Sequence, residues 1–123
     1  MAVRVLVCDD SLGFPSLVAS WLQADERFEH AGTADSGRAL LRLVETTTAD
    51  AVILDLVLPD VENPGRLVQT LREKLPGVKV LLVSSLQEAE LARAADAAGA
   101  DDHLHKLTSA AELGDRLQAL TAG

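Results

Sequence analysis

Aromatic residues, cysteine and long apolar runs are scarce in this sequence of 123 residues. Aromatic side chains make up only 2% of the chain, so we expect a core built from Leu, Val, Ile and Ala. The single cysteine, Cys8, cannot form an internal disulfide, which is typical of a reducing cytoplasm. Apolar runs such as residues 51–54 are far too short to cross a bilayer, and the first residues read as a strand instead of a secretory signal. We therefore expect a cytoplasmic protein without membrane association.

Basic residues are also in the minority, since 11 Lys and Arg stand against 19 Asp and Glu. The resulting net charge of −8 argues against direct binding to nucleic acid or to an anionic membrane, because phosphate groups select basic surfaces. Hydrophobic residues make up 48% of the chain, enough for a core without disulfides or a structural metal. The length predicts a single domain over residues 1–123.

Five short segments have the character of β-strands. Residues 3–8, 51–56 and 78–83 are almost continuously apolar, as expected for strands that are buried on both faces of a sheet. Residues 28–34 and 101–105 are more polar, which places them at the edges of the sheet. The three apolar segments are therefore the predicted centre.

A helical pattern follows each of these strands. Ser36 can cap the second helix, Gly99 can end the fourth, and Ser109 with Glu112 forms a capping box for the fifth. The apolar stripes of the helices lie within residues 14–22, 40–44, 67–75, 87–98 and 113–120. This alternation predicts an α/β fold, a flavodoxin-like doubly wound (βα)5 sandwich with a parallel five-stranded sheet in the order 2-1-3-4-5.

Polar side chains follow the predicted central strands at the edge where this fold binds ligands. Asp9 and Asp10 follow strand 1, and Asp55 ends strand 3. Three neighbouring carboxylates repel one another unless a cation neutralises them, and hard oxygen ligands suit Mg²⁺. Strands 4 and 5 bring Ser84 and Lys106 to the same edge. Together these groups could transfer a phosphoryl group to Asp55, with Ser84 and Lys106 holding its oxygens.

Four segments resemble those of bacterial response-regulator receiver domains. Residues 5–11 are similar to the acidic opening of that family, and residues 53–60 are similar to its phosphoacceptor strand and following loop. Residues 80–85 resemble the strand that ends in a switch hydroxyl, and residues 99–106 resemble the segment that ends in a lysine. The resemblance covers essentially the whole chain, with all five functional positions in order.

The resemblance implies a Mg²⁺-dependent transfer of a phosphoryl group to Asp55 from a sensor histidine kinase or a phosphotransfer protein. Asp10 and Asp55 would bind Mg²⁺, with Asp9 helping directly or through water and the backbone carbonyl of Val57 completing the ligands. Phosphorylation would act through Ser84 and switch the face of helix 4, strand 5 and helix 5. The family further implies a possible output domain or partner protein and a possible homodimer on phosphorylation. Such a domain signals and is not an enzyme, beyond slow self-phosphorylation and autodephosphorylation.

Three departures from the family pattern bear on the output mechanism. His103 stands where the family usually has an aromatic switch residue, three positions before the lysine. Leu107 stands where a proline, commonly with a cis peptide, usually follows the lysine. A non-proline cis bond costs about 2.5–4 kcal/mol, so this bond is either trans or held under strain. The loop of residues 60–65 is one residue longer than usual.

Two other functions remain open at this stage. A haloacid-dehalogenase-like, Mg²⁺-dependent phosphohydrolase would also use an Asp nucleophile, but it needs a second acid where this chain has Val57. A receiver-like scaffold that is not switched by phosphorylation is the other alternative; the complete acidic set and Lys106 argue against it, whereas His103 and Leu107 keep it open. His103 and His105 could form a metal pair, although a half-exposed edge strand explains them better because no third ligand is in view.

Overall fold

The computed structural model describes residues 2–122, in which five strands alternate with five helices. The strands are β1 (Val3–Cys8), β2 (Phe28–Ala34), β3 (Ala51–Asp55), β4 (Lys79–Ser84) and β5 (Asp102–His105). The helices are α1 (Phe14–Gln23), α2 (Gly37–Leu43), α3 (Pro64–Lys74), α4 (Glu88–Ala98) and α5 (Ala110–Thr121). The longest helix has 12 residues. None of the helices in residues 2–122 has the length and apolar character that a membrane span requires.

All strand pairs are parallel, and the sheet order is β2-β1-β3-β4-β5. The predicted flavodoxin-like order is therefore confirmed, with the two polar strands at the edges. Four strand boundaries differ by one residue from the prediction: the end of β3, both ends of β4 and the start of β5. β3 ends at Asp55 because the chain bends away at Leu56, although the Leu56 amide still donates to the Val83 carbonyl at 2.9 Å. β4 begins and ends one residue later than predicted, at Lys79 and Ser84, and β5 begins one residue later, at Asp102.

Helices cover both faces of the sheet, and successive residues of the central strands face opposite cores. In β1, Val5 and Val7 pack with the helices α1 and α5, whereas Leu6 and Cys8 pack with α2, α3 and α4. Cys8 is fully buried, and burial followed by the charge of Asp55 raises the pKa of its thiol to about 12. These side chains hold the ends of β1 and β3 in fixed positions, since burying one Leu or Val contributes about 1.5–3 kcal/mol.

The helix caps agree with the sequence in most respects. The Ser36 hydroxyl accepts a hydrogen bond from the Ala39 amide at 3.0 Å, and Ser109 accepts from the Glu112 amide at 3.1 Å. The predicted capping box is only half formed in the described residues, because the Glu112 carboxylate accepts from the Thr108 hydroxyl at 3.3 Å instead of reaching back to Ser109. Gly99 has a φ of 75° after α4, which is the left-handed conformation that glycine adopts readily.

Candidate functional site

Three aspartates meet at the carboxyl ends of the central strands. Asp9 and Asp10 follow β1, Asp55 ends β3, and the two strands pair up to Cys8 and Leu54. One oxygen from each of the three carboxylates lies within 4.8 Å of the other two. Asp9 and Asp55 are buried, whereas Asp10 is exposed. The structure thus brings together the three acids that the sequence placed at this edge.

Both oxygens of the Asp9 carboxylate have partners at the site. Its Oδ1 accepts hydrogen bonds from the amide and the hydroxyl of Ser11, at 2.7 and 2.5 Å. Its Oδ2 lies 2.7 Å from Nζ of Lys106, but this buried oxygen has no donor in hydrogen-bond geometry among residues 2–122. The ammonium compensates this charge as an ion pair, but one lysine serves two buried carboxylates, and a hard cation would supply the remaining positive charge.

The Asp55 carboxylate contacts one amide and one lysine. Its Oδ1 accepts a hydrogen bond from the Val57 amide at 3.2 Å, and its Oδ2 lies 3.3 Å from Nζ of Lys106. Burial raises the pKa of Asp55, and the negative charge of Asp9 adds to that effect. The Val57 amide and Lys106 act in the opposite direction without cancelling it. The ionised form of Asp55 is therefore disfavoured unless further positive charge reaches the site.

Lys106 supplies the positive charge nearest to this pair of buried acids. Its backbone amide donates to the Ser84 carbonyl at 3.0 Å, directly after the end of β5, and its Nζ lies 5.3 Å from the centre of the Phe14 ring. Burial by itself would lower the pKa of Lys106, but the contacts with Asp9 and Asp55 outweigh it and the pKa is raised. Lys106 consequently carries its charge throughout the neutral range.

Ser84 and Val57 lie beside the aspartates on neighbouring segments. Ser84 is the buried last residue of β4, and Val83 before it pairs with Asp55 across the sheet. The Ser84 hydroxyl accepts a hydrogen bond from the Leu86 amide at 3.2 Å. Val57 lies in the loop after β3 with an exposed side chain. The ends of β1, β3, β4 and β5 therefore present carboxylates, a hydroxyl and an ammonium group at one edge.

The histidines of β5 do not form the alternative metal pair. Nε2 of His103 lies 2.7 Å from Oε1 of Glu88, the first residue of α4. The His105 ring has backbone partners on either side, at Ser85 and Leu107.

The peptide bond before Leu107 is trans, as are all peptide bonds in residues 2–122.

Two contacts at the site were not predicted from the sequence. Ser11 anchors Asp9 through both its amide and its hydroxyl, and Phe14 lies beside the Lys106 ammonium. The spacing of Asp9 and Ser11 contains a usable signal, because aspartate side chains commonly bond the backbone two residues on. The position of Phe14 contains no such signal, since Phe14 and Lys106 are far apart in the sequence.

Comparison with known proteins gives a consistent picture. The family model described as the response regulator receiver domain matches residues 5–118. The response regulator protein VraR of Staphylococcus aureus is 28% identical over the whole chain and 58% of its own length. The receiver domain of the putative response regulator NarL from Mycobacterium tuberculosis has a TM-score of 0.83 and 27% identity, covering 99% of this chain and 98% of that one.

CheY6 of R. sphaeroides, solved in complex with the P1 domain of CheA3, shares the fold. Its TM-score is 0.84 at 22% identity, with 98% of each chain covered. The chain spans between 32% and 58% of the length of the first curated relatives that it matches.

Proposed function

Because the chain belongs to the family of response regulator receiver domains, we propose that Asp55 accepts a phosphoryl group from a phosphohistidine of a kinase or phosphotransfer protein. The observation that carries this proposal is the setting of Asp55. It is buried, it lies 3.3 Å from the Lys106 ammonium, and its carboxylate clusters with those of Asp9 and Asp10. The other buried polar side chains of residues 2–122 are Asp9 and Ser84, which lie at the same edge.

The proposed transfer needs a nucleophile and groups that stabilise charge. A carboxylate oxygen of Asp55 attacks phosphorus and forms the new O–P bond, while the N–P bond of the donor breaks and its electron pair returns to the imidazole. Lys106 neutralises charge on the phosphoryl oxygens, and the Ser84 hydroxyl donates a hydrogen bond to one of them. For this step Ser84 has to turn its proton toward the phosphoryl group, which its present bond permits because the hydroxyl there accepts from Leu86.

The acids fit a Mg²⁺ ion as the source of the remaining positive charge. Asp10 and Asp55 would ligate it, and Asp9 would help directly or through water, since the three carboxylates lie together. The backbone carbonyl of Val57 is the proposed fourth protein ligand. Mg²⁺ prefers few carboxylates together with water and phosphate oxygens. When bound, it would neutralise charge on the phosphoryl oxygens.

A magnesium titration tests this site without phosphorylation. Mg²⁺ should raise the thermal midpoint of the wild type by mass action, since the folded chain alone brings the three carboxylates together. Asp10→Asn should reduce that shift by more than half, because it removes the one exposed ligand charge without leaving a cavity. Asp96→Asn removes an exposed charge on α4 and should leave the shift unchanged. An undiminished magnesium shift in Asp10→Asn places the ion elsewhere.

Measuring the intact mass of the protein tests the proposed phosphorylation. Incubation of the wild type with acetyl phosphate and Mg²⁺ should add one phosphoryl group, and the addition should stop when the metal is chelated. Labelling that does not depend on Mg²⁺ would contradict the proposed chemistry, and an absence of labelling would favour the scaffold alternative.

A donor protein has to approach the edge of the sheet that holds Asp55, and this edge has an apolar rim. The exposed large hydrophobic side chains of residues 2–122 are Leu12 at 97%, Leu17 at 47%, Val57 at 66% and Leu107 at 89% exposure. Three of them lie in the loops that follow β1, β3 and β5, and Leu17 lies on α1. Exposed apolar groups concentrated at one place mark an interaction site. We assign this rim to the phosphodonor, and CheY6, which shares the fold, was solved in complex with the P1 domain of CheA3.

The lifetime of the phosphoryl group should depend on Val57. Hydrolysis requires a water in line with the O–P bond, and the apolar Val57 side chain, two residues after Asp55, cannot orient one. Val57→Asn should therefore shorten the phosphoryl half-life by roughly three- to tenfold after the donor is removed. Leu17→Asn, an equally polar change on the exposed part of the rim, should leave the half-life unchanged. Equal half-lives in the wild type and Val57→Asn would remove Val57 from this role.

The proposed output uses the face formed by α4, β5 and α5. Ser84 ends β4 and would be drawn toward the phosphoryl group, and the loop after it leads into α4. The pair of His103 and Glu88 joins β5 to the start of that helix at 2.7 Å. We propose that this pair transmits the change where the family has an aromatic residue. The chain then acts as a switch and not as a turnover enzyme, consistent with an apolar Val57 where a phosphohydrolase would need an acid.

A further inference from the structure

His105 joins two loops through its imidazole ring. It is the last residue of β5, and its Nδ1 accepts a hydrogen bond from the Leu107 amide at 2.9 Å. On the other side of the ring, Nε2 lies 3.2 Å from the Ser85 carbonyl oxygen. An amide can only donate and a carbonyl can only accept, so the contacts fix one form of the ring. The proton is on Nε2, and Nδ1 is free to accept.

The two backbone groups that the ring joins adjoin the residues proposed to hold the phosphoryl oxygens. Ser85 directly follows Ser84, and Leu107 directly follows Lys106. The pairing of β4 with β5 ends at Ser84 and His105, with a last backbone bond from the Lys106 amide to the Ser84 carbonyl at 3.0 Å. Beyond that bond the strands separate into different loops. The His105 imidazole joins the two loops one residue beyond that bond, at Ser85 and at Leu107.

We propose that His105 is a positioning residue for phosphoryl transfer, acting as a brace that holds the Ser84 hydroxyl and the Lys106 ammonium in register. This inference rests on the proposed function, since it assigns His105 to the same reaction. Preorganised groups stabilise a transition state only when their placement is fixed, and a displacement of about 1 Å can cost up to 10²-fold in rate. The hydrogen bonds of the His105 ring go to the backbone of Ser85 and Leu107 and not to the three acids.

Two substitutions at His105 test its two hydrogen bonds separately. His105→Phe keeps a ring of similar shape and loses both hydrogen bonds. His105→Asn can still accept from the Leu107 amide, because Asn side chains bond the backbone two residues on, but it is too short to reach Ser85. His30→Phe is the matched control, since His30 lies on the opposite edge strand, β2, and its ring bonds the Thr33 hydroxyl at 2.7 Å.

The rate of labelling by saturating acetyl phosphate and Mg²⁺ should fall by roughly five- to twentyfold in His105→Phe, with His105→Asn between it and the wild type. His30→Phe should match the wild type. The magnesium-induced shift of the thermal midpoint should be the same in all four proteins, because the hydrogen bonds of the His105 ring do not go to the acids. A role confined to fold stability would instead lower the thermal midpoint and leave the rate unchanged well below it.

The protonation of the His105 ring can also be measured without phosphorylation. Long-range proton–nitrogen spectra of the imidazole should show the Nε2-protonated tautomer, and a ring protonated at Nδ1 alone would overturn the brace. A wild-type rate in His105→Phe would overturn its role in transfer, even with the expected tautomer. If His105→Phe does not fold, the rate in His105→Asn and the tautomer decide. Failure of the wild type to be labelled at all would count against the proposed function, whatever the tautomer.

Discussion

Asp55→Asn should abolish labelling by acetyl phosphate and Mg²⁺, as measured by intact mass. The substitution keeps the shape of the side chain and removes the carboxylate oxygen that has to form the O–P bond. The Asp9 carboxylate is already engaged by Ser11 and Lys106, and Asp10 is exposed, so neither is placed to take over. Asp96→Asn on α4 is the control and should be labelled like the wild type. Undiminished labelling of Asp55→Asn would move the phosphoacceptor to another residue.

The same substitution should make the metal-free protein more stable. Because the pKa of Asp55 is raised in the folded state, its contribution to stability is largest at acid pH. That contribution is lost as the pH rises from the ordinary aspartate pKa of about 3.9 through the raised value. At neutral pH the ionised carboxylate therefore costs folding free energy, which the neutral amide avoids. We therefore expect a higher thermal midpoint for metal-free Asp55→Asn than for the wild type at neutral pH, and a difference that disappears near pH 4.

Much of this site could be predicted because the fold fixes it through a simple pattern. Parallel strands joined by helices bring their carboxyl ends to one edge, so a polar residue at the end of an apolar segment predicts a member of the site. Asp55 and Ser84 end their strands in the structure, and Lys106 follows the last one. The edge positions of β2 and β5 followed from the same reasoning, since polar residues on a strand indicate partial exposure.

The remaining contacts join residues that are distant in sequence and have no periodic signal. The Asp60 carboxylate accepts from the amides of Gly37 and Arg38, both at 2.9 Å, and thereby ties the loop after β3 to the start of α2. Asp101, directly before β5, accepts from the Val80 amide at 2.7 Å and pairs with Arg72. An exposed aspartate and one that holds a loop in place look the same in a sequence. The bonds of His105 belong to this class as well.

Lys106→Met should weaken both the reaction and the metal-free fold. Methionine keeps the unbranched apolar stem and removes the charge that lies 2.7 Å from Asp9 and 3.3 Å from Asp55. The labelling rate should fall by about 10²-fold, which is typical for the loss of one preorganised group that stabilises charge on the transferred oxygens. Lys74→Met, on the exposed last turn of α3, should label like the wild type. A labelling rate within threefold of the wild type would exclude Lys106 from the transfer step. A tenfold change in rate corresponds to about 1.4 kcal/mol in activation free energy.

The effect of Lys106→Met on stability should depend on pH and on metal. Breaking a buried ion pair by removing one partner costs about 3–5 kcal/mol, and Lys106 is 17% exposed, so we expect about 2–4 kcal/mol at pH 7 without Mg²⁺. Since the pKa of Lys106 is raised in the folded wild type, its contribution is fully present at and below pH 7 and is lost only in the alkaline range. Without Lys106 the pKa of Asp55 should rise further, and its protonation should restore part of the lost stability as the pH falls.

Mg²⁺ should take over the neutralisation of Asp9 and Asp55, so its shift of the thermal midpoint should be larger in Lys106→Met than in the wild type. A smaller magnesium shift in the variant would mean that Lys106 helps to build the metal site instead of competing with the ion for the same charge.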